Sequence, residues 1–401
     1  MSKKLKRILI VVIVLCVIVL GVDIFLFLKT DSKNLNFESL NSFFYDKDTI
    51  YACGSTNKNK DKKEEGVIYK YNSNLRKVNS YVLDSKYNST FFYVKEDGNN
   101  LVAVGSIENT KDENKNKYRS ALIAKYSKDG KLLFKKTYQD LGVSKFTNLI
   151  VADDGYIVVG QSIYPNDVLG NENTGGGMLI KYDKNGKILW KKHLGGNKSG
   201  LFNDIVKHGK YLYLAGKDAT RYGVVAKYTL DGEYVKAVSY AKTDTIGFSS
   251  IEYKDGYLYV VGAKKLNEDD EYDHDIDGLI VKYDENLEKK DEVTYKDTKK
   301  GLERFNNLII DGKDIYIVGH EAVLNKKKST KKEFAYNYRG LINKYSLDLK
   351  LEDKNIYNKY SNNYFTDINK YNELYVVSGY NSNDTEKKYN NMFITYKGNL
   401  K

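Results

Sequence analysis

Proline is nearly missing from this 401-residue chain, which holds one, at position 165. No Pro/Gly/Ser-rich stretch marks a linker between separate domains either. Cysteine occurs twice. Cys16 sits inside a long apolar run and Cys53 stands alone in IYACG, so no disulfide can form within the part beyond the run. That part must hold together by packing, with Cys53 as a small buried residue. A lipobox is absent, because Cys16 follows Leu15 within the run. GxSxG, HExxH, Walker and dinucleotide fingerprints are absent as well. The four histidines, His193, His208, His274 and His320, share no position in the repeat described below. Catalysis is left with scattered carboxylates, which are mostly surface groups.

Lys, Asn, Tyr and Ile are plentiful, a pattern that fits an AT-rich coding sequence and weakens any functional reading of the +12 net charge. Residues 30–401 carry 60 basic and 52 acidic side chains, or +8. The charges alternate in sign, as in NKNKDKKEE and KKKSTKKE, without a concentrated basic stripe. This pattern argues against nucleic acid, and anionic wall polymers or lipid headgroups are the compatible neighbours.

The N-terminus begins MSKKLKR and continues as ILIVVIVLCVIVLGVDIFLFL over residues 8–28, which contain one charge, Asp23. Twenty-one such residues suffice to cross about 30 Å of hydrocarbon as a helix. Asp23 lies near the outer end, where a charge costs less than at the centre. Lys3, Lys4, Lys6 and Arg7 place residues 1–7 in the cytoplasm and the rest outside. A cleaved signal peptide is the competing reading, with Val19-Leu20-Gly21 as a weak cleavage site, but IFLFL extends the apolar run past it.

Beyond the run the chain repeats itself. A Gly closes an apolar strand at Gly54, Gly105, Gly160, Gly216, Gly262, Gly319 and Gly379, at intervals of 46 to 60 residues. Fourteen residues before each stands Leu40, Phe91, Phe146, Phe202, Phe248, Phe305 or Phe365. Fixed offsets within variable spacing mean rigid elements joined by loops that absorb the differences. A Lys-Tyr pair closes a third strand at Lys70-Tyr71, Lys125-Tyr126, Lys181-Tyr182, Lys227-Tyr228, Lys282-Tyr283 and Lys344-Tyr345, with Thr395-Tyr396 in the last unit. Turns such as SKDGK, DKNGK and DENLE lead to a fourth strand. The tight-turn signals Asp154-Gly155 and Asn185-Gly186 separate strand-length runs.

The second strands, such as YIVVG and YLYLAG, are apolar on both faces, as in sheets stacked face to face. Seven four-stranded units of about 50 residues therefore predict an all-β fold, a seven-bladed β-propeller of antiparallel blades over residues 40–401, preceded by one transmembrane helix. The third unit, DDGYIVVG followed by LIKYDKNGKILWKKHLGG, resembles the tandem β-propeller repeats of bacterial surface and secreted proteins. The resemblance spans residues 40–401 and is strongest in units three to five. It implies an architecture without one activity, so it assigns no catalytic residue. Unit seven ends after its third strand, and residues 31–38, within the 29–39 linker, are a candidate for the missing outer strand.

Loops between second and third strands vary most, and variable loops on a regular scaffold are where binding resides. Tyr118, Tyr164, Arg221, Tyr222, Tyr272, Tyr336, Tyr338 and Tyr380 lie in or beside them, together with Phe334 and Tyr389. Tyr offers a flat apolar face with a polar tip, suited to glycans and proteins. With 37 Tyr in the chain, several would fall in loops by composition alone. In NEDDEYDHDIDG, Asp273, Asp275 and Asp277 precede Gly278 and match the start of a calcium loop, with Asp284 at the twelfth position. LIVKY at 279–283 is the repeat's third strand rather than an EF-hand helix, and a solvated acidic loop is the simpler reading. No other cofactor is expected.

The expectation is a single-pass plasma-membrane protein whose extracytoplasmic propeller binds a cell-envelope protein or glycan. The alternative is a propeller hydrolase of a glycan or other envelope substrate, using the channel mouth.

Overall fold

The computed structural model describes residues 37–57, 63–111, 117–139, 143–163, 175–194, 200–218, 222–240, 245–265, 276–297, 301–325, 336–382 and 389–397. Residues 8–28 and 31–36 lie outside them. Among the described residues no helix is long and apolar enough to cross a membrane.

The described residues are strands joined by turns, as the density of Tyr, Val and Ile favours. They form seven units, each an antiparallel meander, with four strands in units one to six and three in unit seven. Units two and three are also joined by a parallel bridge between Arg119 and Val143, and units five and six by one between Ile276 and Leu302. The first, inner strands are Phe37–Asp46, Ser89–Asp97, Val143–Ala152, Leu201–His208, Thr245–Lys254, Gly301–Asp311 and Asn362–Tyr371. Second strands such as Thr49–Thr56 and Tyr211–Lys217 are buried along nearly their whole length, as their two apolar faces require. Fourth strands such as Lys77–Val82 and Leu132–Tyr138 are mostly exposed and form the rim.

The core is split among the junctions. Each of six hydrophobic clusters joins one unit to the next, from Tyr51 and Cys53 against Phe91 and Leu101 to Val318 and Ile342 against Phe365 and Val377. A seventh joins Leu40, Phe43 and Ala52 of unit one to Val376 and Phe393 of unit seven. At that junction Tyr45 stacks on Tyr371 at 4.4 Å, and Asn369 Nδ2 donates to the Phe43 carbonyl at 2.8 Å. First and last units thus pack directly on each other. Phe37, which sequence reasoning offered to unit seven as part of an outer strand, pairs with Thr56 in unit one. Cys53 is fully buried, and burial pushes its thiol well above the ordinary value, which keeps it inert.

The two fixed marks of the repeat have steric causes. A Cβ on the strand-closing Gly of any unit would lie 1.9–2.3 Å from the carbonyl oxygen of the inner-strand residue just before the Leu or Phe. A second Gly, on the third strand of units one, three, four, five and six, lies under the Phe ring of the next unit, where a Cβ would approach ring carbons to 2.6–3.1 Å. Phe and Gly are therefore two halves of one contact between neighbours.

Turns between third and fourth strands contain a left-handed residue, Gly in units two to four but Leu75, Leu287 and Leu349 elsewhere, at φ 58–60°. Each Leu is at most 5% exposed, so side-chain burial offsets the backbone strain. Asn185-Gly186 makes its turn as expected, with Gly186 at φ 80°. At the other signal the turn falls on Asp153-Asp154, and Gly155 opens the strand because a Cβ would lie 1.8 Å from the Tyr182 carbonyl oxygen.

Candidate functional site

All seven inner strands carry a β-bulge at the same place. The residue after the conserved Leu or Phe is skipped in the pairing, so Leu40 and Ser42 pair with Gly54 and Cys53, and Phe202 and Asp204 with Gly216 and Ala215. The other five units repeat it. A bulge re-aims the side chains beside it. Here the skipped residue and its successor both face the common axis, as the pairs Asn41-Ser42, Phe92-Tyr93, Thr147-Asn148, Asn203-Asp204, Ser249-Ser250, Asn306-Asn307 and Thr366-Asp367. Together they line a cavity of about 270 Å³.

Two belts of hydrogen bonds follow. In the first, the skipped residue of units one, three, four, six and seven donates to the carbonyl of the conserved residue in the next unit. Asn41 reaches Phe91 at 2.7 Å, Thr147 reaches Phe202 at 2.6 Å, and Asn203 reaches Phe248 at 2.6 Å. Asn306 reaches Phe365 at 2.6 Å, and Thr366 of unit seven returns to Leu40 of unit one at 3.3 Å. The second belt runs through the following residue. Asp204 accepts from Asn148, from its own neighbour Ile205 N at 2.8 Å, and from Ser250 Oγ at 2.6 Å and Ile251 N at 2.9 Å in unit five. Asp367 accepts from Asn307, from Ile368 N at 2.9 Å and from Phe43 N of unit one at 3.0 Å. Both acids are therefore engaged as clasps between units.

Enclosure nevertheless disfavours their charge. Burial pushes the Asp367 carboxyl up to about 7 and raises that of Asp204. At the end of the axis nearest the inner hairpins, burial and then Asp204 push Glu252 up to about 7, with Lys95 opposing. Tyr93 and the acids hold Lys95 above its ordinary value against its desolvation.

The opposite mouth lies where the variable loops depart, and it has two arcs. Units six and seven supply an aromatic one. Tyr364, the residue before Phe365, stacks on Tyr380 at 4.7 Å and packs at 4.7 Å against Tyr338, while His320 meets Tyr364 edge-on at 5.1 Å and Tyr338 at 5.8 Å. Asn306 Nδ2 lies 3.3 Å from His320 Nδ1. Burial, with a smaller effect from Arg304, holds His320 down near 3, so it is a neutral ring at physiological pH. Units two to four supply the cations Arg119, Lys145 and Lys217, and unit six adds Arg304, which pairs with His320 across its strands.

The structure thus joins Tyr338 and Tyr380, both singled out from sequence, through Tyr364 and His320, which were not. Tyr118 and Tyr336 are half-buried in third strands, Tyr336 two residues before Tyr338 on the same strand, and Tyr222 closes a short loop through its backbone N and the Asp218 carboxylate at 3.0 Å. Tyr164, Arg221, Tyr272, Phe334, Asp273 and Asp275 lie outside the described residues. Asp277 is buried within a third strand, 3.8 Å from Lys296 Nζ. Asp284 accepts from Asn286 N and Glu288 N at 2.9 Å in a turn. Among the described residues no three His, Cys, Asp or Glu side chains converge as a metal site.

Inner strands around an axis, bulges facing it and a rim of exposed fourth strands define a β-propeller. Among solved structures the chain is similar to the Dos1 propeller, with 12% identity over 88% of this chain and 92% of that one, TM-score 0.46. It is also similar to the β-propeller domain of the Trilobed protease from Pyrococcus furiosus, with 11% identity over 90% and 93%, TM-score 0.45. A third similar structure comes from a study of two prolyl endopeptidases, with 10% identity over 88% of this chain and 47% of that one, TM-score 0.48. No protein-family model and no curated protein matches the chain.

Proposed function

We propose that this is a seven-bladed propeller anchored in the plasma membrane by residues 8–28, with residues 1–7 in the cytoplasm and the propeller outside, where it binds a cell-envelope protein or glycan. The anchor rests on the 21-residue apolar run, whose one charge is Asp23, and the basic residues before it. Binding rests on the mouth. The observation that carries it is the His320, Tyr338, Tyr364 and Tyr380 group, which sets flat, half-buried, uncharged rings beside the axis in the manner of a recognition surface. The axial acids fit an enzyme less well, because Asp204 and Asp367 are held by neighbouring units.

The test is capture of the full-length protein, in lipid nanodiscs, by envelope fragments from the cells that make it. The double variant Tyr338→Ala/Tyr364→Ala is expected to bind at least tenfold more weakly while unfolding at nearly the same urea concentration. Unchanged capture refutes the aromatic mouth. Turnover of an envelope substrate that Glu252→Gln abolishes without unfolding would establish the hydrolase alternative instead.

A further inference from the structure

We propose that the cationic arc of the mouth holds the acidic group of a glycan at Lys145, so that the ligand of this propeller is an acidic polysaccharide. The inference rests on the binding reading above and narrows it to a ligand class.

Lys145 directly precedes Phe146 and stands at the loop end of the unit-three inner strand. Its ammonium makes neither an ion pair nor a hydrogen bond with the described residues. What it meets is the ring of Phe92, the skipped residue of unit two, 5.7 Å away. Burial, then Lys217, then Arg119 hold it below the ordinary lysine value, and the strand of Arg119 bridges its own at Val143. Arg119 has a partner in Glu108 at 3.3 Å, and that carboxylate also takes Asn88 Nδ2 at 2.9 Å.

Several other enclosed lysines are matched, although Lys70, in a third strand, likewise meets only a ring among the described residues, that of Tyr51 at 5.8 Å. Lys125 pairs with Asp97 at 3.0 Å, Lys181 with Asp154 at 2.7 Å and Lys344 with Asp314 at 2.9 Å, while Lys227 donates to the Glu285 carbonyl at 2.8 Å. An enclosed charge without a counter-charge is costly, and an incoming anion offsets that cost.

The rest of the mouth selects the carrier of that anion. Lys145 belongs to unit three, whereas the aromatic arc belongs to units six and seven, across the axis. His320 adds no charge to that arc, and its neighbouring cation is Arg304 of unit six. A ligand that meets both arcs needs flat, weakly polar faces at one place and a carboxylate, sulfate or phosphate at another, spaced along an extended chain. Acidic polysaccharides have that construction, and Tyr rings suit their sugar faces.

Full-length protein in nanodiscs, titrated with polygalacturonate and with its fully methyl-esterified form, separates charge from sugar. A glycerol phosphate polymer, which carries anions without sugar rings, is the third probe, and binding to it alone would overturn the polysaccharide. The wild type is expected to bind an acidic polymer at least tenfold more tightly than the ester. Lys145→Gln should lose about ten- to a hundredfold, the range of a charge-assisted hydrogen bond, and Lys145→Arg should retain most binding. Lys207→Gln, at an exposed inner-hairpin position, should stay within about twofold, the expectation for one screened surface charge.

Equal binding of ester and acid would overturn the anion site while leaving the aromatic mouth standing. Equal losses in Lys145→Gln and Lys207→Gln would reduce it to diffuse surface charge. Capture by envelope without binding to any acidic polymer would overturn the ligand class, and loss of both would remove the binding reading as well.

Discussion

Replacing Asp367 by Asn tests the axial clasp, because two opposing effects meet on that carboxylate. Its Oδ2 accepts from Phe43 N across the junction of units seven and one, and its Oδ1 from Ile368 N and Asn307. Three N–H donors favour the charged form, but enclosure outweighs them and the group titrates near 7 instead of the ordinary 3.8. Asn retains one acceptor, for Ile368 and Asn307, and turns its own NH₂ toward Phe43 N. Leaving that buried donor unpaired costs about 1–3 kcal/mol.

The pH dependence supplies the sign. A carboxyl raised on folding stabilises the fold fully below its unfolded value and loses that contribution as pH rises through its folded value. A change from 3.8 to about 7 is worth roughly 4 kcal/mol, of which about 3 kcal/mol disappears between pH 5 and pH 8. Asn at this position does not titrate. Asp367→Asn should therefore be clearly less stable than wild type at pH 5, and the gap should narrow by about 3 kcal/mol, or reverse, by pH 8. Glu252 shares the direction but is common to both proteins and cancels. Urea unfolding at the two pH values measures the gap. A constant or widening gap would show that the N–H donors win and that Asp367 is charged throughout.

Gly160→Ala should destabilise by about 3 kcal/mol or more, because its Cβ would lie 2.0 Å from the Lys145 carbonyl oxygen, which belongs to the bulged strand and cannot withdraw. Gly98→Ala, with φ 60° and open space around it, should cost only about 1 kcal/mol in urea unfolding, and equal losses would refute the packing argument. Leu287→Gly relieves a φ of 60° but exposes the core that this side chain covers. A net loss of about 1–2 kcal/mol is expected, and a gain in the urea midpoint would show that strain outweighs burial.

The sequence shows the units plainly because the Phe and the strand-closing Gly answer to backbone contacts that tolerate no other length. It also carries the axis, though in a form that simple alternation misreads. The residues after the conserved position are NS, FY, TN, ND, SS, NN and TD, small and polar in six units of seven. In an unbroken strand two successive residues face opposite sides. The bulge breaks that parity, and both reach the axis.

Tyr338 and Tyr380 were accessible to a loop-based search because they flank variable connections. Tyr364 was hidden because it sits on an inner strand, and His320 because its meaning lies in three rings brought to it from elsewhere in the chain. Lys145 was lost among many lysines. Its missing counter-charge together with its place at the loop end of an inner strand sets it apart, and the first of these is a property of space rather than sequence.

The bulge also explains where specificity can reside. In most units it commits the skipped residue or its successor to bonds between units, as Asn203 to Phe248 and Asp204 to Ser250 show. A change there disturbs the junction first and any ligand second. The residue before the Phe is not committed in this way, since only its backbone carbonyl enters the contact with the strand-closing Gly. Its side chain is free to be Lys145 in unit three, Arg304 in unit six and Tyr364 in unit seven. The residue after the Gly has similar latitude, as Lys217, His320 and Tyr380 show. Repetition thus fixes a ring of structural positions and leaves a second ring, one residue nearer the loops, on which charge and aromatic surface can vary from unit to unit. The cationic and aromatic arcs draw on that second ring, and for this reason a protein built from near-identical units can present a mouth with two chemically different sides.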